Sequence, residues 1–182
     1  MEQTKNNSFW TDMGKPIVVL VAICIVVSAL LGLVHGVTAP VIAENNRITA
    51  ENNRKLALPT GASFEELPFD GSDSSVTGVF RGTDDTGALA GYVVTASNKG
   101  YGGDVVVTVG FDETGKIVNV LADVGTETTG VGSKVGELST LAKFVGISGS
   151  ANDVTLISGA TYTSNAVRSG VNDALAAVAA VK

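Results

Sequence analysis

Cysteine and histidine are nearly missing: the chain holds one of each, Cys24 and His35. A single thiol excludes a disulfide framework and a Cys-x-x-Cys redox pair. The two residues together exclude an iron–sulfur or haem ligand set and a zinc site of usual make-up. Both lie in or beside one apolar run, which argues against a Ser-His-Asp or Cys-His catalytic site as well. Charge is also scarce, at 16% of residues, and it is absent in one place: from Pro16 to Ala43 there is no Asp, Glu, Lys or Arg. That run is the main reason why the mean hydropathy is positive. The length of 182 residues points to one folded domain with an appendage.

The charge that exists is unevenly divided. Up to Lys55 five basic residues face four acidic ones; the rest carries seven basic against fourteen acidic, within a net charge of -6. A body this acidic is repelled by nucleic acid and by anionic lipid surfaces. This argues against nucleic-acid binding, and solubility is the simpler reading of the acidity.

The uncharged run predicts a membrane-spanning helix over 16–40, after a short tail of 1–15. It is long enough for a tilted crossing of a hydrocarbon core about 30 Å thick. Pro16 suits a first helical turn and Pro40 falls near the far end, while Phe9 and Trp10 suit an interface. A cleaved secretory signal is the competing reading, but its apolar region spans only about 7–15 residues. Basic residues flank both ends, so counting them does not orient the span. Residues 41–60 read as a helical stalk: Ala43-Glu-Asn-Asn-Arg47 returns as Ala50-Glu-Asn-Asn-Arg54, seven residues later, and Pro59-Thr60-Gly61 ends it.

From 61 to 182 the chain is rich in glycine and in β-branched residues. Strands are predicted at Val76–Arg81, Ala90–Ala96, Asp104–Asp112 and Lys116–Asp123, with turns at Gly82–Gly87 and Asp112–Gly115. A short helix is expected over Gly136–Phe144, an apolar strand over Val154–Ile157, and a final helix over Ser164–Val181. On that helix Val167, Val171, Ala174, Leu175 and Val178 repeat at three- and four-residue steps, which marks a buried face. Strands followed by helices, without βαβ alternation, imply an α+β domain with an antiparallel or mixed sheet.

The stretch richest in chemistry is Ser158-Gly159-Ala160-Thr161-Tyr162-Thr163-Ser164. It passes from an apolar segment through a tight turn into a helix. Ser158, Thr161, Thr163 and Ser164 offer four hydroxyls, and Gly159 and Ala160 leave room for close approach to the backbone. The first amides of a helix are unpaired and carry the positive end of its dipole, so a phosphate suits the place. The alternative is ordinary capping, with Thr163 or Ser164 as the N-cap.

Ser158-Gly-Ala-Thr161-x-Thr163-Ser164 resembles the flavinylation motif of the FMN-binding domains. These occur in the G subunit of the Rnf ion-translocating electron-transport complex and in the C subunit of the sodium-pumping NADH:quinone oxidoreductase. Three further features carry the resemblance. An N-terminal apolar run leads into Thr38-Ala-Pro-Val-Ile-Ala-Glu44. Lys99-Gly-Tyr-Gly-Gly103 precedes a Val-rich strand. Thr126-Glu-Thr-Thr-Gly-Val-Gly-Ser-Lys134 looks like the family's Glu-Thr-Pro-Gly-Leu-Gly flavin-side loop. Two positions depart from the family pattern: Thr155 stands where an Asp is usual, and Thr129 where a Pro is usual.

The resemblance implies FMN joined to Thr161 by a phosphoester, attached from FAD by a separate flavin transferase. It implies flavin contacts from Glu127, Thr128, Gly130, Val131 and Gly132, with backbone amides of 130–132 near the isoalloxazine ring. It leaves Lys134 to offset phosphate charge and Tyr101 as a core or rim aromatic. No metal and no catalytic residue are implied; the flavin supplies the redox chemistry and the protein its position. The implied role is a membrane-anchored electron carrier in an Rnf-type ferredoxin:NAD oxidoreductase, in contact with membrane lipid and other membrane subunits. Electron flow there is coupled to Na+ or H+ translocation, and the flavin domain lies outside the cytoplasm. One span without an intramembrane carboxylate or lysine cannot form the ion path alone. The alternatives are a role like that of the quinone oxidoreductase's C subunit, an extracellular flavin reductase and a cofactor-free tethered domain.

Overall fold

The computed structural model describes residues 14–69, 71 and 75–182. Phe9 and Trp10 lie outside them. The chain divides into two compact units, 1–49 and 50–182. Helix α1 runs unbroken from Lys15 to Ala57, with Pro40 in its interior. Its Pro16–Ala43 stretch is about 40 Å long at the helical rise, enough to cross a hydrocarbon core. It is the one helix among the described residues with the length and apolar composition for this. The large apolar side chains from Ile17 to Ile42 are exposed. Ion pairing on the polar stretch is local: Arg47 meets Glu44 at 2.8 Å.

The second unit is built on a five-stranded antiparallel meander in the order β1-β2-β3-β4-β5. The strands are β1 (Ser63–Leu67), β2 (Val76–Thr83), β3 (Leu89–Lys99), β4 (Asp104–Phe111) and β5 (Ile117–Asp123). Two of its hairpin turns are chemically the same device. Asp84 Oδ1 accepts from the Thr86 amide and hydroxyl and from the Ala88 amide. Asp112 Oδ1 accepts in the same way from Thr114 and Lys116. A carboxylate receiving several N–H and O–H donors closes such a turn without help from the rest of the fold. β1 was not expected; it pairs with β2 through Ser63↔Thr83 to Leu67↔Val79, and its Glu65 and Glu66 are exposed. Its weak alternation hides it, because an edge strand needs only one neighbour.

After β5 come a 3₁₀ turn (Gly132–Gly136), the one-turn helix α2 (Leu138–Leu141) and a second 3₁₀ turn (Ala142–Phe144) in place of a single short helix. The segment 154–157 is not a strand. The main chain of Ile117 on β5 is already taken by Gly146 and Ile147. Val154, Leu156 and Ile157 pack their side chains against the core instead. The last helix, α3 (Thr161–Val181), begins three residues earlier than expected, with Ala160 as its N-cap.

Alternation puts Val105, Val107, Val109 and Phe111 of β4 on one face, beside Tyr92 and Val94 of β3 and Val79 of β2. The buried stripe of α3, including Val167, Val171, Ala174 and Val178, covers them. Each large side chain fully buried there contributes roughly 1.5–3 kcal/mol. On the opposite face Ala57, Leu58 and Val93 form a smaller cluster with Phe64, Phe80, Ala90 and Leu121. The Arg54 guanidinium lies 4.0 Å from the centre of the Phe80 ring, and the Asn119 amide donates to the Leu56 carbonyl at 2.9 Å.

Gly110 is what lets this end of α1 approach the sheet: a Cβ there would lie 2.0 Å from the Ala57 carbonyl oxygen. Backbone cannot swing aside as a side chain can. Gly110→Ala is therefore expected to destabilise the domain by about 1–3 kcal/mol, the usual cost of overpacking, and to lower the melting temperature by several degrees. Thermal unfolding followed by circular dichroism checks this.

Candidate functional site

In an antiparallel meander the β3–β4 connection and the chain leaving β5 emerge at the same end of the sheet. α3 starts at that end and runs to the other, where the Lys182 ammonium donates to the Thr114 carbonyl in the β4–β5 turn at 2.6 Å. Three segments thus converge at the first end: Gly100–Gly103, 124–132 and the start of α3. Between them lies a cavity of about 260 Å³, lined by Tyr101, Glu127, Thr128, Val131 and Gly132 on one side and by Gly159 to Thr163 on the other.

Glu127 ties the three segments together. It is only 6% exposed. Its Oε1 accepts from the amides of Tyr101 at 3.0 Å and Gly102 at 3.1 Å, and its Oε2 accepts from the Thr163 hydroxyl on α3. Burial pushes the carboxyl pKa up, but the bonds from Thr163 and from the Gly102, Tyr101 and Gly103 amides outweigh it. The net result is a pKa below the ordinary glutamate value. Hydrogen bonds to the charged form have this effect when the site is preorganised. Gly132 makes room for the arrangement: a Cβ there would sit 2.8 Å from the Glu127 Cβ and 3.1 Å from the Thr163 hydroxyl oxygen.

The four hydroxyls of the turn are separated by their surroundings. Thr163 is buried and committed to Glu127. Ser164 is buried, and its hydroxyl takes no partner among the described residues. Neither caps α3; both lie inside it, and the N-cap Ala160 makes no side-chain cap bond. The first residues of α3, Thr161 to Thr163, line the cavity, and their amides have no capping side chain. Ser158 is exposed but outside the cavity lining, while Thr161 is both exposed and on the lining. Gly159 has φ of 86° and Ala160 is buried beneath it.

On the other wall, Gly130 and Val131 spend their amides locally, on the Ser133 hydroxyl and the Thr128 carbonyl. Gly130 and Lys134 are not part of the lining. Thr129 is exposed, and the Thr155 carbonyl accepts from the Lys143 ammonium at 3.1 Å. One lining residue was missed by sequence reasoning. Tyr162 occupies the variable position of the motif, and its ring centre lies 6.2 Å from that of Tyr101. A large aromatic next to Thr161 was the available signal.

Residues 100–176 match the FMN-binding domain family, which spans both walls of this cavity. Over an alignment of 186 residues the chain is 30% identical to the G subunit of the Na+-translocating ferredoxin:NAD+ oxidoreductase complex of Acetobacterium woodii, with 90% of each chain covered. It is 29% identical, over 93% of its own length and 96% of the other, to the G subunit of the ion-translocating oxidoreductase complex of Methanosarcina acetivorans. Among solved structures it is similar to Shewanella oneidensis NqrC, with a TM-score of 0.44, 20% identity, and coverage of 65% of this chain and 66% of that one. Fold and site thus define an α+β FMN-binding domain behind a long apolar helix. The chain belongs to the family of G subunits of the ion-translocating oxidoreductase (Rnf) complexes.

The Glu127 arrangement has a pH signature. Its folded-state pKa lies below the ordinary value of about 4.3. Its contribution to stability is complete above that value and is lost as pH falls through the lowered one. Glu127→Gln should remove this acid-side component from the pH–stability profile. Glu127→Ala, which strands two amides and one hydroxyl, should cost about 3 kcal/mol at neutral pH. Urea unfolding between pH 3 and 7 checks both.

Proposed function

We propose that this chain is a membrane-anchored flavoprotein electron carrier of an Rnf-type ferredoxin:NAD oxidoreductase, with FMN attached through a phosphoester to Thr161. One observation carries the reading: of the four serine and threonine hydroxyls in the turn, only that of Thr161 lies on a residue that is both solvent-exposed and part of the cavity lining. A modifying enzyme needs the first property and a prosthetic group seated in the cavity needs the second.

The residues fit such a group. The uncapped first turn of α3 offers amides where a phosphate is favoured. The carboxylate on the lining opposes an anion, but its oxygens are already engaged by the Tyr101 and Gly102 amides and by Thr163, which dampens its field. Val131 and the two tyrosines supply apolar surface for a planar ring.

When bound, FMN supplies one- and two-electron redox chemistry that no side chain of this protein can. The protein's own tasks are positional. Thr161 provides the hydroxyl for the ester; the activating base and metal belong to a flavin transferase. Glu127 holds the β3–β4 loop against α3, so the cavity keeps its width. Val131 and Gly132 form the wall facing Thr161.

In this reading residues 16–40 cross the membrane, 41–60 form the stalk and 61–182 the flavin domain, placed outside the cytoplasm. A covalent link suits that side, where a lost flavin is not readily replaced. Other membrane subunits supply the path for Na+ or H+ and the ferredoxin and NAD chemistry. The relatives' names support the assignment to an ion-translocating oxidoreductase complex.

The experiment is co-expression with a flavin transferase, followed by denaturing electrophoresis under ultraviolet light. The wild-type band is expected to fluoresce. Thr161→Ala should lose the signal completely, Thr161→Ser should keep part of it, and Ser158→Ala should leave it near the wild-type level. A dark wild-type band whose Thr161 peptide has unmodified mass would overturn the reading.

A further inference from the structure

Tyr101 and Tyr162 stand out on this surface. They are 73% and 71% exposed, although both line the cavity. Large aromatic rings left in water at the mouth of a cavity mark a binding surface more often than a packing accident. They come from separate elements, Tyr101 from the β3–β4 loop and Tyr162 from the first turn of α3.

Their mutual contact is loose. The ring centres are 6.2 Å apart and the planes are inclined by 46°, toward the open end of the 4.5–7 Å range in which aromatic pairs interact. A pair packed for its own sake settles closer. A planar ring held between two others needs about 7 Å between the outer planes, two van der Waals gaps. The two rings now touch at a tilt, so a third ring enters once the side chains turn apart and toward parallel. Both rings have room to swing, because solvent rather than packed side chains surrounds most of each.

The backbones beneath the rings are held firmly. The Tyr101 amide donates to Glu127 Oε1 at 3.0 Å. Tyr162 lies between Thr161 and Thr163, and Thr163 donates to the other oxygen of the same carboxylate. One buried group thus sets the distance between the two attachment points, while the rings remain adjustable.

We propose that Tyr101 and Tyr162 are the two jaws of an aromatic slot that closes on the isoalloxazine ring of the prosthetic group carried by the neighbouring Thr161. The inference rests on the FMN reading above. Phenol rings are electron-rich and the isoalloxazine is electron-poor, so stacking is favourable on both faces. The arrangement keeps the ring system from swinging on its flexible ribityl chain.

Stacked tyrosine quenches flavin emission, and this gives a readout independent of turnover. The full chain, flavinylated by co-expression and solubilised in detergent, is compared native and denatured with covalent FMN verified by mass. Native wild-type emission is expected to be severalfold lower than that of the denatured chain, with high anisotropy. Tyr101→Ala should recover part of the emission, and the double variant Tyr101→Ala/Tyr162→Ala should recover most of it with a fall in anisotropy. Tyr101→Phe/Tyr162→Phe should recover emission while anisotropy stays high, because phenylalanine stacks without donating an electron. Should Tyr162→Ala go unmodified by the transferase, Tyr101→Ala and the phenylalanine variants still decide the matter. Adduct present with native emission equal to denatured, or unchanged in the double variant, overturns the slot and leaves the FMN assignment standing. No adduct on the wild-type chain overturns both.

Discussion

A buried carboxylate must find donors or surrender its charge, and Glu127 finds them on separate pieces of chain. Its two oxygens draw the β3–β4 loop and the start of α3 onto the segment that follows β5. Without it the Tyr101 and Gly102 amides and the Thr163 hydroxyl would lose their partner, and the tilted contact of the Tyr101 and Tyr162 rings would be left to link the loop to the helix. The cavity exists because these contacts hold its walls at a fixed separation. Small residues allow the contacts to form: the Cβ of any larger residue at 132 would enter the space between Glu127 and Thr163.

The meander provides the frame. Up-and-down strands bring the two loops to one end, and a helix packed along β2 to β4 brings its N-terminus to the same end. The other end is tied by Lys182 to the β4–β5 turn, so α3 is restrained at both of its termini. A valine-rich core beneath keeps the frame stiff, while the reactive surface consists of loops and a first helical turn. Division of this kind suits a carrier, whose prosthetic group does the chemistry and whose fold keeps that group in place.

Local chemistry made parts of this legible in advance. Asp84 and Asp112 each close a turn with donors two and four residues away, so the turn needs nothing distant. The heptad-spaced stalk continues the apolar run into one helix, and the spacing of Val167, Val171 and Val178 marks the buried face of α3. Other parts depend on neighbours. Residues 154–157 have the composition of a strand but lie where the adjacent backbone is already paired. β1 exists because β2 offers it an edge. Thr163 has the character of an N-cap, yet Glu127, 36 residues away, takes its hydroxyl, and the helix starts at Thr161 instead.

The sequence by itself determined the long apolar run, strands β2 to β5, the hydroxyl-rich turn and the family to which these belong. Each of these rests on residues close together in the chain, through periodicity, turn chemistry or a contiguous motif. Only the tertiary structure decided which hydroxyls are buried and which is left at the cavity, that Glu127 is the tie, and that Tyr101 faces Tyr162. Those outcomes turn on contacts between segments tens of residues apart, where burial and the need to satisfy polar groups, rather than local preference, set the result.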